Sequence, residues 1–309
     1  MTAASVTAPP RALALLPILA LAWGATWPLM KLGVTEIPVL SFRALTGFVA
    51  GSALLALAGL VHGGIRPLKR EWRGVVICAP ISVTGWFYLS ALSVTLLPAG
   101  RAALLAYTMP LWAFLIGVLF LGEPILKRRL IGLAAGVGAI LLMAWDALGQ
   151  AVGAAEFPWG VLVITGAAMV WSAGSTLQKE MRFESPVMVI AAWQLLIGAA
   201  PLALLGLALE PRDWIGSVGW EPLAALVGVG LVSQALGMWT WFTILTMTSV
   251  AVASLAILCV PLVGIGLAAW LLGETIGWVE IVGFALIAVG MATVTPLEKL
   301  FGRRRPPGV

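Results

Sequence analysis

Apolar runs of about twenty residues follow one another along the chain with short polar breaks between them. Ten can be marked, at about 12–30, 38–61, 74–94, 99–121, 130–147, 158–177, 186–209, 222–245, 249–272 and 276–295. A bilayer core about 30 Å thick takes roughly 20 apolar residues per helix, so each run has the length of a membrane span. The pattern predicts an all-α integral membrane protein with ten transmembrane helices.

Composition agrees with that reading. Of 309 residues, 61% are hydrophobic and 10% charged, and the mean hydropathy is +1.06, which leaves too few charges to coat a water-soluble particle of this size. The placement of the charges predicts orientation. With the N-terminus in the cytoplasm, 14 of the 18 Lys and Arg fall on inner segments, and only Lys31, Arg43, Arg101 and Arg212 lie toward the outside. Both termini are therefore expected in the cytoplasm of a bacterial inner membrane. The net charge of +5 then reflects topology and not nucleic-acid binding. Arg11 and the apolar stretch after it have the outline of a signal peptide, but the segment belongs to the repeat described next and is expected to stay.

The chain matches itself. "WGATWPLMK", Trp23 to Lys31, meets "WSAGSTLQK", Trp171 to Lys179, at an offset of 148, and Pro38 meets Pro186 at the same offset. Further on the offset is 151, where "PLWAFLIGVLFLGE" from Pro110 lies over "PLVGIGLAAWLLGE" from Pro261. Two halves, 1–150 and 151–309, thus share landmarks in one order, with three extra residues absorbed between them. Each half holds five spans, an odd number, so the second enters the membrane from the opposite face. Inverted repeats of this kind build secondary transporters around a site near the midplane.

Ten spans in two copies, each with a "P...LGE" fourth helix, resemble the EamA-type ten-helix members of the drug/metabolite transporter superfamily, which include YddG-like amino-acid exporters. The resemblance covers the whole chain and rests on "WGATWPLMK", "SFRALTG" (Ser41 to Gly47), "TMPLWAFLIGVLFLGE" and "VPLVGIGLAAWLLGE". It implies export, a small-molecule substrate, and a central cavity walled by helices 1, 3, 4, 6, 8 and 9.

Candidate wall residues follow from depth. Trp23 is eight residues before Lys31, about 12 Å deeper at 1.5 Å per residue, and Trp171 stands as far from Lys179. Pro28, Pro110 and Pro261 fall inside spans, where a proline frees the carbonyl four residues earlier; polar backbone of that kind is tolerated in lipid only beside protein or a wet cavity. Simple bending for packing is the competing explanation. Near these kinks lie Trp27, Trp86, Ser90, Tyr107, Ser175, Gln234, Trp239 and Ser254. Aromatic walls suit apolar or aromatic solutes and attract ammonium groups, whereas Trp72, Trp159, Trp214, Trp220 and Trp278, at span ends, belong to the interfacial belt. Lys31 and Lys179 either snorkel to the interface or help gate an end of the pathway. For Arg43 and Arg101 the choice is between a vestibule role, with Arg43 meeting a substrate carboxylate, and bracing of the bundle.

Other chemistries find little support. Cys78 and Cys259 lie within spans and the one histidine, His62, in a loop, so no metal site or cofactor is expected. Neither a Walker loop nor a nucleophile elbow occurs, so the chain is not read as an enzyme. A channel would need polar rings or a filter. All 13 acidic residues map to loops or span ends, which favours facilitated exchange over proton-coupled antiport, the latter needing a buried titratable group. The glycine pairs Gly47/Gly51 and Gly132/Gly136 permit close helix contact, either within one chain or in a weak homodimer; a monomer is the simpler expectation.

Overall fold

The computed structural model describes residues 10–294 apart from 123, 126, 151–156 and 248–249. Every regular element among them is helical. Eight helical stretches are long and apolar enough to cross a membrane, and two shorter apolar ones, Cys259–Leu272 and Trp278–Thr293, follow. This is a multi-pass membrane protein. The boundary between the proposed halves at 150/151 lies next to undescribed residues.

The first span is two helices, α1 (Pro10–Gly24) and α2 (Thr26–Gly33), and the second is one, α3 (Val39–His62). The third runs from α4 (Trp72–Ala79) through a π-helical segment, Pro80–Gly85, into α5 (Trp86–Leu96). The fourth is again broken, into α6 (Ala99–Ala106) and α7 (Met109–Leu121), and α8 (Lys127–Gln150) is the fifth. Then come α9 (Trp159–Glu180) and α10 (Val187–Leu209). The eighth span has α11 (Trp220–Val227), a second π segment, Gly228–Leu236, and α12 (Gly237–Met247), and α13 (Val250–Leu272) and α14 (Trp278–Val294) close the chain.

The two π segments occupy matching places. α4 and α11 have 8 residues each and α5 and α12 have 11 each, while the π segments between them have 6 and 9. The three residues by which the repeat offset grows from 148 to 151 thus fall in the second π segment, which is longer than the first by that number.

Pro110 behaves differently from the sequence expectation. Instead of bending a continuous helix it sits at the start of α7, where its missing N–H leaves no gap. Tyr107 N and Thr108 N turn back to Leu104 O (3.0 Å) and Leu105 O (3.1 Å), closing α6 with tight turns. Pro28 lies in the first turn of α2 just after the break at Ala25, and Pro261 is inside continuous α13. The glycine pairs are used within the chain. A Cβ on Gly47 would stand 2.8 Å from Ala199 Cβ and one on Gly51 2.8 Å from Leu196 Cγ, both on α10, while Gly132 meets Thr293 and Gly136 meets Leu111.

Carboxylates tie the helix ends together. The first N–H groups of a helix have no partner inside it, and the dipole there favours an anion. Glu210 accepts from Leu40 N (2.7 Å) and Ser41 N (2.8 Å) at the start of α3, and Glu274 from Ala99 N (2.7 Å) and Gly100 N (2.9 Å) at the start of α6. Just before α10, Glu71 accepts from Glu184 N (2.5 Å), Ser185 N (3.2 Å) and the Ser185 hydroxyl. Each bond fixes two spans distant in sequence.

Candidate functional site

Tryptophans meet where the helices break. Trp27 on α2 packs edge-on against Trp86 at the start of α5, ring centroids 6.3 Å apart, and Trp86 lies 5.4 Å from Trp171 on α9. This strip joins the first, third and sixth spans. Trp23 instead pairs with Trp241 on α12 at 5.7 Å and closely approaches Gly237, where a Cβ would stand 2.5 Å from its Nε1. The two arrangements are counterparts: Trp23 and Trp171 differ by 148, and Gly237 and Trp86 by 151. Where one half has a second indole, the other has a glycine that admits the first.

The remaining candidates are placed unevenly. Tyr107, half-buried, caps α6 and packs against the cluster containing Trp27. Trp239 packs with Trp86 against a second cluster around Phe87. Gln234, in the second π segment, is half-buried with its Oε1 unpartnered among the described residues. Ser90 is buried and donates to Phe87 O (3.2 Å), and Ser175 is exposed on α9, outside the strip. The side chain of Ser254 lies outside the described residues, as does Glu123. Several buried hydroxyls that the sequence did not single out, Ser82 and Ser233 in the two π segments among them, also have no partner among the described residues.

At one end of the bundle the basic residues are fully engaged. Lys31 Nζ donates to Leu97 O (3.0 Å) and to Glu274 Oε1 (3.3 Å), so the ends of α2 and α13 meet the α5–α6 junction at one point. Arg101 binds Asp146 Oδ2 at 2.7 Å and Glu280 Oε1 at 2.6 Å, joining α6, α8 and α14. Sequence reasoning missed the acidic partners, though the "LGE" ending that carries Glu274 was visible in the repeat. At the opposite end Lys179 is exposed. There the surface along α7 and α9 carries an open apolar groove of about 470 Å³ lined by Ile116, Phe120, Met169, Ala173, Thr176 and Leu177, among others.

Arg43 is the exception among the basic candidates. It is 2% exposed, its Nε donates to Phe87 O (3.1 Å), and its guanidinium carbon stands 3.7 Å from the centroid of the Phe87 ring. One of its terminal nitrogens, Nη1, is buried with no hydrogen-bond partner among the described residues.

The sequence profile of the EamA-like transporter family matches residues 11–145 and again 158–295. The chain belongs to the EamA-like transporter family. Among the relatives of this EamA chain, the uncharacterized transporter YoaV of Bacillus subtilis is 25% identical over 274 residues, 88% of this chain and 92% of YoaV. The aromatic amino acid exporter YddG of Ancylobacter novellus is 29% identical over 227 residues, 70% of this chain and 74% of that protein. One solved crystal structure superposes with a TM-score of 0.63 at 25% identity, covering 96% of this chain and 99% of the other. The EamA profile assigns a membrane transporter, and its twofold match agrees with the two π segments at matching places.

Proposed function

We propose that the chain exports amino acids with apolar or aromatic side chains, or similar small amphipathic metabolites, across the bacterial inner membrane by alternating access between two inverted halves. The observation that carries this reading is the Trp27–Trp86–Trp171 strip, set where helices from three spans meet beside the break at Tyr107. Indole faces offer apolar area and attract ammonium groups, the two features such a solute presents together. The relative named an aromatic amino acid exporter supports the same substrate class.

In this reading the Lys31 end faces outward and is closed, and the α7–α9 groove is the inward opening. Lys31 and Glu274 form the outer latch; their sequence counterparts, Lys179 and Glu123, would form the inner one in the opposite state. Export runs as facilitated exchange without proton coupling. In support, the carboxylates among the described residues lie in loops or at span ends, and Glu71, Asp146, Glu210, Glu274 and Glu280 hold backbone N–H groups or basic side chains there.

Counterflow of labelled L-phenylalanine in proteoliposomes, against a panel of unlabelled amino acids, drugs and nucleosides, tests the reading. Trp171→Ala and Tyr107→Ala should alter substrate selection or rate while insertion and folding hold. Parent-like transport by both would move the pathway elsewhere. Accumulation above equilibrium under an imposed pH gradient would overturn the facilitator mechanism.

A further inference from the structure

Among the described residues buried charge comes with compensation, with one exception. Arg101 has two carboxylates, Lys31 has one, and the buried Glu71 collects backbone and hydroxyl donors. Arg43 has none of these: no ion pair to it is formed among the described residues, its contacts are one carbonyl and one ring face, and Nη1 is unsatisfied. A buried cation without an opposite charge is strongly disfavoured, the more so within a membrane. Nη1 therefore has a hydrogen-bonding capacity for an anion that nothing among the described residues uses.

The position of the guanidinium says which anion. Phe87 O accepts from Arg43 Nε and also from Ser90 Oγ. Ser90 is four residues, one helical turn, beyond Trp86 and therefore on its face of α5, and Trp86 is the middle ring of the aromatic strip. The cation thus lies against α5 at the depth of Phe87, the residue after Trp86, although its backbone is only four residues into α3. A solute with an apolar body on the indoles and a carboxylate one turn away would satisfy both features at once. Guanidinium is also the side chain best suited to a planar carboxylate, which it can hold through two parallel hydrogen bonds.

We infer that Arg43 is a substrate-binding residue that takes the carboxylate of an amphipathic monocarboxylate whose apolar portion lies on the tryptophan strip. This rests on the transport reading above and adds to it that the recognised charge is the anion. An ammonium group is then dispensable for binding.

Binding to the purified full-length protein, followed by calorimetric titration, separates these cases with four probes: L-phenylalanine, 3-phenylpropionate, phenethylamine and L-phenylalaninamide. The two carboxylates should bind and the two carboxylate-free amines should bind roughly ten- to a hundredfold more weakly, the scale of one charge-assisted hydrogen-bonded contact. Arg43→Gln should abolish that preference and Arg43→Lys should keep part of it. Phenethylamine binding as well as 3-phenylpropionate, no binding by either carboxylate, or a preference that survives in Arg43→Gln would each overturn the assignment. The comparison of probes on the unsubstituted protein stands even where Arg43→Gln does not fold. Carboxylate binding without flux in vesicles would keep this site and refute the export reading, whereas flux of amines and carboxylates alike would do the reverse.

Discussion

The latch at Lys31 gives a prediction whose size can be worked out. Lys31 Nζ contributes a hydrogen bond to Leu97 O and an ion pair with Glu274, between side chains 33% and 16% exposed. A partly exposed pair of this kind contributes up to about 1 kcal/mol, and a hydrogen bond to a carbonyl about 1 kcal/mol more. If, as proposed, this junction closes the outer end, Lys31→Met should destabilise the closed state by about 1–2 kcal/mol, and no more, because Glu274 keeps its bonds to Ala99 N and Gly100 N. The open-to-closed ratio should rise roughly 5- to 30-fold. Glu274→Ala removes the same ion pair and also strands two N–H groups at the start of α6, so its effect should be larger. Ala103, fully buried on α6, lies under the latch where a Cβ on Gly264 would stand 3.1 Å from its own. With Cys78 and Cys259 replaced, Ala103→Cys can be labelled by a membrane-impermeant maleimide from the Lys31 side. The labelling rate should follow the order parent, Lys31→Met, Glu274→Ala. Equal rates in all three, or a faster rate in Lys31→Met than in Glu274→Ala, would show that this junction does not hold the end closed.

Other consequences are simpler to measure. Arg101→Met leaves Asp146 and Glu280 close together without their shared cation, and should lower stability by about 3–5 kcal/mol; thermal unfolding in detergent reads this, and replacing all three with apolar residues should recover most of it. Gly237→Ala drives a methyl into Trp23 Nε1 at 2.5 Å, so the Trp23–Trp241 pair must shift. Altered intrinsic fluorescence together with slower counterflow is expected, and an unchanged emission spectrum would contradict the contact.

The spans could be read because a membrane forces every backbone polar group into internal hydrogen bonds, so the length of an apolar run is close to the length of its helix. The predicted fourth run, 99–121, coincides with the extent of α6 and α7 together. How the helices are interrupted was only half legible. Pro110 marked the break at Tyr107 one turn late, since a proline is easiest to place in the first turn after an interruption and not at the interruption itself. Gly228–Leu236 contains no proline at all, and its only trace was the three-residue slip in the repeat. Among the candidate residues, depth arguments singled out Trp27, Trp86 and Trp171, whose rings pack together, but gave no means of telling which face each side chain takes. The Ser90 hydroxyl, for one, spends its hydrogen on Phe87 O of its own helix. The ionic partners of Arg101 and Lys31 come from spans more than a hundred residues away in the chain, or from the next span, and no local pattern announces such pairings.

The wide turns in the third and eighth spans bear on how a duplicated membrane protein can diverge. Three added residues in an ordinary helix would lengthen it by about 4.5 Å and rotate everything beyond by most of a turn. Here the surplus falls within a segment that takes more residues per turn than an α-helix, and the eleven-residue helices beyond it, α5 and α12, stay the same length. One copy can therefore gain residues in mid-membrane while the carboxylate ties at both rims stay in register, which leaves the interior free to specialise and the rims obliged to match.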